Sequence, residues 1–402
     1  MRIDATSLRK AREERSGRIL VTGATGFLGS HLAVALLRAG YRVAVLARAS
    51  KGLSARDRIA RLARWFSLDG DARSIEIVEG DLLDPDWAKA ALAGAGGAFR
   101  YDEIVHCASN TAFAERKRAE VEAANIGGLK TILDLAVRGG CVFFHHISTA
   151  YAAGRRTGLC PEDWVESGPF TNVYEETKAR GEIMARETCR REGIRLNVYR
   201  PTVVAGDSTT GRTLRFNALY YPVKAALSIR DLFMDDLRNG RGEKAAEVGI
   251  RLTRGGRLYI PIRIETRPGA GINLIPVDHC VRAFMAIFEE GLEGDIYHIA
   301  NPVPTPLEDL VAYGKRRFEL EGIEACGQEA FARAPKNTLE LLYDSYLEVY
   351  RPYMQDERTF ERAHAGPILE RRGVACPVFD YHLFARLMDF AVDAAWGARL
   401  FS

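Results

Sequence analysis

The 402-residue chain has almost no excess of either sign of charge: 56 Lys and Arg face 53 Asp and Glu, a net charge of +3. A dedicated nucleic-acid binder carries a large basic excess, so that class is excluded. Cysteine is sparse too. Cys107, Cys141, Cys160, Cys189, Cys280, Cys326 and Cys376 are odd in number, scattered and without a C-x-x-C pair. This argues against a disulfide framework and leaves reduced thiols in the cytoplasm as the expectation. No apolar run reaches the roughly 20 residues that span a bilayer. Even the apolar region from 27 to 46 is broken by His31, Arg38 and Arg42. The first 16 residues are charged, lack the apolar stretch of a secretion signal and read as a polar arm. There is no internal repeat and no low-complexity tract. His145-His146 lacks the helical spacing of a metal pair and sits on a strand pattern, so no metal ligand is assigned.

What is present is ordinary globular material, 47% hydrophobic and 27% charged, which excludes disorder as the main state. The length exceeds the roughly 250 to 300 residues at which single cores stop growing, so two lobes are expected.

From Arg18 the chain reads Ile19-Leu20-Val21, then Thr22-Gly23-Ala24-Thr25-Gly26-Phe27-Leu28-Gly29, then a helical pattern with Leu32, Leu36 and Leu37 on one side. This is strand, glycine turn, helix. Gly40 closes the helix and 41–46 supplies a second buried strand. Further apolar runs end at Val78, His106 and Ile147, and 196–199 adds another. Strands alternating with helices imply an α/β fold, a doubly wound parallel sheet of Rossmann type. After Pro201 the alternation stops and glycines punctuate irregular segments. A return to the sheet is expected through 272–277, a helix over 278–289 and a strand over 296–299. The expected division is therefore an arm over 1–16 and a nucleotide-binding domain over 17–205 with a returning segment at 271–300. A smaller, discontinuous substrate lobe takes 206–270 and 301–402. The last hundred residues read as helices, with Leu342, Tyr346 and Val349 close to one face.

The glycine turn has a direct physical reading. Gly23 permits the tight turn, Gly26 lets a phosphate approach the backbone, and Gly29 lets helix and sheet pack closely; the free N–H groups at the helix start then hold a pyrophosphate. A bare ribose normally meets Asp or Glu after the second strand, but here stands Ala47-Arg48-Ala49-Ser50-Lys51. Arg48 and Lys51 are suited to a 2′-phosphate, which makes NADP(H) the expected cofactor. Asp81, in Glu79-Gly80-Asp81-Leu82, is suited either to the adenine amino group or to capping the next turn.

Ser148-Thr149 ends a strand, and Tyr174 and Lys178 follow on one helical face. A free phenol has a pKa of about 10 and needs a nearby ammonium to stabilise its ionised form at neutral pH. Lys178 can supply that charge, and a hydroxyl from Thr149 or Ser148 can hold a carbonyl oxygen while negative charge develops on it.

The combination T-G-x-x-G-x-x-G, Ser148-Thr149 and Tyr174-x-x-x-Lys178 resembles the extended short-chain dehydrogenase/reductase family. Val105-His106-Cys107-Ala108-Ser109-Asn110, His146-Ile147-Ser148-Thr149-Ala150-Tyr151 and Arg200-Pro201-Thr202-Val203-Val204-Ala205-Gly206-Asp207 resemble its thioester reductases and fatty acyl-CoA reductases. The resemblance runs from about Gly17 to Asn301. It implies Thr149 as the catalytic hydroxyl with Ser148 as its alternative, Tyr174 as proton donor, and Lys178 as the ribose-binding group that lowers the tyrosine pKa. It implies cofactor contacts from Gly23, Thr25, Gly26, Phe27, Leu28, Gly29, Arg48, Lys51, Asp81, Leu82, Cys107, Ala108, Ser109, Tyr174, Lys178, Pro201, Thr202 and Val204.

The expected activity is NADPH-dependent reduction of an acyl thioester to the aldehyde or onward to the alcohol. With no adenylation or carrier module and no apolar C-terminal anchor in this chain, the substrate is expected as acyl-CoA or on a separate acyl carrier protein. Two other readings stay open: a nucleotide-sugar epimerase, dehydratase or ketone oxidoreductase using the same residues, and a non-catalytic NADP-sensing protein. A homodimer is also left open. Arg251, Arg254, Arg257, Arg263 and Arg267 suit either CoA phosphates and an acidic carrier or a solvated strand face. The segment 216–237 suits either an acyl-chain cover or ordinary packing.

Overall fold

The computed structural model describes residue 10 and residues 17–68, 75–93, 100–267 and 269–401. The polar arm expected over 1–16 therefore lies, Lys10 apart, outside the described residues.

The strands Arg18–Thr22 (β1), Arg42–Ala47 (β2), Glu76–Glu79 (β3), Glu103–His106 (β4), Phe143–Ile147 (β5) and Arg195–Pro201 (β6) alternate with helices. These are Phe27–Arg38 (α1), Ala55–Trp65 (α2), Pro85–Ala93 (α3), Gly128–Gly139 (α4) and Val173–Glu192 (α5). With Ile296–Ile299, the strands form one seven-stranded sheet in the order 296–299, β6, β5, β4, β1, β2, β3, every pair parallel. Alternate side chains on each strand feed opposite cores. Ile19, Val21, Val43 and Val45 pack with α1 and Val277–Glu290, whereas Leu20, Ala44 and Leu46 pack with α4 and α5. The expected doubly wound fold is thus present, with helices on both faces.

Two stretches depart from the sequence pattern. The segment around 272–277 does not enter the main sheet: Leu274–Pro276 pairs in parallel with Val203–Ala205 (β7) as a separate two-stranded ladder. Pro201 has no N–H to extend the β6 ladder. Beyond it Thr202 N still bonds Ile299 O, but Val203 N bonds Asn273 O. The return to the main sheet is Ile296–Ile299 alone. Nor are the last hundred residues all helical. Leu258–Thr266 (β8) alternates buried and half-buried residues, and Leu320–Gly327 joins it as a parallel partner. That partner lies some sixty residues along the chain, so no local turn signal marks the pairing.

The second lobe packs Tyr220–Asn239 (α6), Leu307–Phe318 and Thr338–Leu347 around this small sheet. Below, Val277–Glu290 is α7, Leu307–Phe318 is α8 and Thr338–Leu347 is α9. The buried face of α9 is Leu339, Tyr343 and Leu347, while Tyr346 is exposed, contrary to the face expected from sequence. The cause is its capping box: Glu340 closes on Asn337 and also binds Arg263 at 2.7 Å, which sets the rotation of the helix. Three of the five arginines of 251–267 serve local structure. Arg251 lies over Tyr259, Arg257 faces Glu321, and Arg263 is committed to Glu340.

Among the described residues, no helix is long and apolar enough to cross a membrane.

Candidate active site

A cavity of about 1030 Å³ opens over the carboxyl ends of β1 to β6 and continues into the second lobe. This is where ligands bind in open parallel sheets, because the strand ends and helix N-termini there leave backbone groups free.

At one end the wall is the β1–α1 turn. Gly23 has φ +71°, and a Cβ there would lie 2.6 Å from the Ala108 nitrogen. A Cβ on Gly29 would stand 2.3 Å from the Gly23 carbonyl oxygen. Both positions exclude any side chain. Gly26 is the N-cap of α1 and offers no capping side chain, so the first N–H groups of a twelve-residue helix face the cavity.

Arg48 and Asp81 both line the cavity and pair with each other at 2.8 Å. Asp81 also accepts the Leu83 N–H at 3.0 Å, the capping role foreseen as its alternative. Lys51 is exposed, on left-handed backbone, and stands outside the cavity wall. Arg58 on α2 does line the cavity, donating to the Arg48 carbonyl at 2.7 Å and to Thr25 Oγ1 at 2.8 Å. Burial and the neighbouring Arg48 charge push the Arg58 guanidinium below its ordinary pKa. Two like charges that act on each other at one end of the cavity are eased by an anion bound beside them.

Thr25, Phe27, Leu28, Leu82, Cys107, Ala108, Ser109, Pro201, Thr202 and Val204 all line the same cavity. Burial pushes the Cys107 thiol up to about 12, so it is inert at neutral pH. Ser109 donates to Asn125 Oδ1 at 3.0 Å, and the Asn125 amide donates to the Asn110 carbonyl and Thr177 Oγ1, each at 3.0 Å. Asn125 sits in a π-helical stretch, Ala123–Gly127, just before α4. Such wide turns recur at functional sites because they re-aim one side chain into the interior.

In the centre, Ser148, Thr149, Tyr174 and Lys178 come together on the cavity wall. Lys178 is buried and donates to the Ile147 carbonyl at 2.6 Å. Burial pulls its pKa down to about 8, so most of the ammonium survives at neutral pH. Contrary to the lowering expected from Lys178, burial pushes the Tyr174 phenol up, and the opposing influences are Thr149 and the Arg215 charge rather than Lys178. In this state the phenol is a proton donor. Ser148 Oγ is buried and has no hydrogen-bond partner among the described residues. His106 and His146 stack with centroids 5.7 Å apart, and burial followed by the Lys178 charge pushes both far down, so both rings are neutral. His145 is turned to the other side of β5, bonding Glu103 and Tyr199.

Beyond Tyr174 the lining is mainly apolar, with Lys315 among it. Leu219, Pro222, Val223, Ala226 and Leu227 follow one face of α6 and its first residues, while Leu307, Leu310, Val311, Gly314 and Phe318 follow one face of α8. Spacings of three and four residues put each set on a single stripe. Ile264, Ile323 and Tyr343 add to the wall. The segment expected either to cover a chain or merely to pack lines the cavity, and the same helix also belongs to the core of the second lobe. At the mouth, Arg215 donates to Thr111 Oγ1 at 2.9 Å.

Sequence reasoning missed Arg58, Asn125, Arg215 and Tyr353. For Asn125 a signal existed: an amide beside Gly127-Gly128 interrupts an otherwise helical pattern. Tyr353 lines the cavity from far along the chain and carries no local mark.

A family model described as male sterility protein, an NAD-binding family, matches residues 21–284. Among curated proteins, the chain is 26% identical over 224 residues to a 3 beta-hydroxysteroid dehydrogenase/Delta 5-->4-isomerase of Mycobacterium tuberculosis, covering 55% of this chain and 56% of that protein. It is 24% identical over 396 residues to a linear gramicidin synthase of Brevibacillus parabrevis, covering 92% of this chain but 7% of that one. The aligned stretch is thus about half of the first relative and a small part of the second. Among solved structures, the terminal R domain of the myxalamid biosynthetic pathway superposes with a TM-score of 0.72 at 22% identity, covering 94% of this chain and 91% of that one. UDP-glucuronic acid 4-epimerase of Bacillus cereus superposes with a TM-score of 0.62 at 18% identity, covering 94% and 99%. At these identities the likeness is one of fold.

Proposed function

The chain belongs to the extended short-chain dehydrogenase/reductase family, in the group described as male sterility protein, and from that premise we propose that it is an NADPH-dependent reductase of acyl thioesters. The observation that carries this reading is the double apolar stripe of α6 and α8 leading to the Thr149–Tyr174 pair. An acyl chain gains about 0.8 kcal/mol for each CH₂ it buries in such a channel; a sugar gains nothing from aliphatic walls and would leave its hydroxyls unpaired.

The residues present fit a dinucleotide. The turn at Gly23 and Gly29 has no room for a Cβ, and the start of α1 is uncapped. Arg48 and Arg58 would hold a 2′-phosphate, which supports NADPH over NADH. Bound there, the reduced nicotinamide supplies a hydride for the thioester carbon. Thr149 and Tyr174 would grip the carbonyl oxygen as charge develops on it, and the Tyr174 proton passes to that oxygen. Loss of the thiol from the resulting hemithioacetal leaves the aldehyde. Lys178 would bind the ribose and favour the phenolate left on Tyr174. Ser148, whose hydroxyl lacks a partner among the described residues, is the alternative donor to the oxygen. The thioester would arrive as acyl-CoA or on an acyl carrier protein, with Arg215 and Thr111 at the entrance. As part of the same reading, the protein acts in the cytoplasm, its seven cysteines all free thiols. The division into 17–205 with 271–300 against 206–270 with 301–402 separates cofactor from acyl chain, with the correction that Ala365–Arg371 packs into the main-sheet core and not with the second lobe.

The test is loss of NADPH absorbance with a panel of acyl-CoA and acyl-carrier substrates. Turnover with apolar acyl groups is expected, and product analysis distinguishes aldehyde from alcohol. Turnover of a nucleotide sugar or hydroxysteroid with none across the thioesters would overturn the reading.

A further inference from the structure

Two hydroxyls that must meet on one oxygen stand on separate segments. Thr149 caps the short turn Ala150–Ala153 after β5, and Tyr174 lies in the first turn of α5. One residue grips both segments. Tyr353, in the turn Arg351–Gln355, accepts from Asn172 Nδ2 at 2.6 Å and donates to Glu175 Oε1 at 2.7 Å. Asn172 and Glu175 are themselves the frame of the α5 N-terminus. Asn172 Oδ1 accepts the Glu175 N–H at 3.1 Å, and Glu175 Oε2 accepts the Thr171 N–H at 2.8 Å. On the other side, the Tyr353 ring meets Tyr151 edge-on with centroids 5.3 Å apart, and the Tyr151 N–H bonds Thr149 Oγ1 at 3.3 Å. Phe113 closes the gap, its ring 5.5 Å from Tyr353 and 5.7 Å from Tyr174.

The grip is anchored. Buried Arg358 bonds Asp356 at 2.7 Å and the Gly154 carbonyl at 2.5 Å, and its guanidinium lies over the Tyr151 ring. Glu175 is fully buried, and its Oε1 has Arg358 Nη1 at 3.8 Å besides the Tyr353 hydroxyl, so loss of that hydroxyl would leave the oxygen to the longer ion pair alone. Burial and Glu175 both push the Tyr353 phenol up, which keeps it protonated and donating.

We propose that Tyr353 is a positioning residue: it locks the first turn of α5 against the turn after β5, so that the Thr149 and Tyr174 hydroxyls converge on one substrate oxygen. Displacements well under 1 Å matter at such a pair, since a misplacement of about 1 Å can cost about a hundredfold in rate. The inference rests on reading those two hydroxyls as the oxygen-binding pair, and it is indifferent to the nature of the acyl group.

The experiment uses the full chain and whichever member of a panel of thioesters and nucleotide sugars the wild type turns over, so that failure of the thioester reading leaves it intact. Tyr353→Phe keeps the ring and removes both hydrogen bonds. The expected result is a kcat lower by about tenfold, with KM and NADPH affinity within about twofold and little further loss when added to Tyr174→Phe. Asn172→Ser keeps a capping oxygen and withdraws the amide from Tyr353; a kcat lower by about threefold is expected. Unchanged kcat in both variants overturns the proposal, as does a parallel loss of kcat, cofactor affinity and melting temperature in Tyr353→Phe. A crystal structure of Tyr353→Phe tests the same point without turnover. The separation of the Thr149 and Tyr174 hydroxyls is expected to widen, and a separation unchanged from that in a wild-type crystal would refute the role.

Discussion

Around Gly23 and Gly29 the wall of the cleft is main chain with no space for a methyl group, whereas around α6 and α8 it is a double stripe of aliphatic side chains. The first wall presents N–H groups and a helix N-terminus, and it suits a group of fixed shape and charge. The second presents mostly apolar surface, with Lys315 among it, and it suits a group chosen by length and polarity rather than by fixed geometry. The contrast teaches why one end is built from eight consecutive residues and the other from segments scattered over more than a hundred. A backbone cradle needs a local conformation; an apolar channel needs only that distant side chains share a face.

Four experiments break or sharpen this contrast. The largest effect is expected where the two walls meet. Tyr174→Phe should lower kcat by at least about a hundredfold while NADPH affinity stays unchanged, because the lost proton donor serves chemistry rather than binding; steady-state kinetics with fluorescence titration of the cofactor measure both. At the cofactor end, Arg58→Ala should weaken NADPH by roughly ten- to a hundredfold and leave NADH untouched, a charge-assisted bond being worth about 1.5 to 3 kcal/mol. Equal losses for the two cofactors would remove the 2′-phosphate assignment. At the apolar end, Val311→Trp should raise KM for long acyl chains by about tenfold and spare short ones, since overfilling costs about 1 to 3 kcal/mol only where a chain competes for the space. The smallest effect is on pH. Lys178, pulled down to about 8 by burial, is charged below that pH and loses its proton as pH rises through it. The rate should therefore fall by about twofold between pH 7 and 8 and more steeply above. A flat profile up to pH 10 would show that the ammonium contributes nothing.

Much of the cofactor end was legible because its signals are local. The glycines, the strand before them and the helix after them are adjacent in sequence, and Tyr174 and Lys178 share a helix face by spacing alone. Lys51 shows the limit: it is as basic as Arg48 and three residues away, but it stands on left-handed backbone outside the cavity wall, whereas Arg58, a helix later, lines the wall. Asn125 left a faint mark beside Gly127-Gly128, but the π-helical turn in which it sits is not a pattern that spacing alone announces. The α9 face was misjudged because Glu340, bound to Arg263 from another segment, sets its rotation.

Periodicity and turn chemistry by themselves determined the parallel sheet, the anion-ready turn and the hydroxyl–phenol–ammonium set, since each follows from neighbours within a few residues. Only the tertiary structure decided that α6 and α8 face each other across a channel, that Leu274–Pro276 leaves the main sheet, and that Tyr353 reaches back to the start of α5. Those outcomes depend on contacts between residues far apart in the chain. Their stabilisation appears only when both partners are buried together, and no local pattern encodes it.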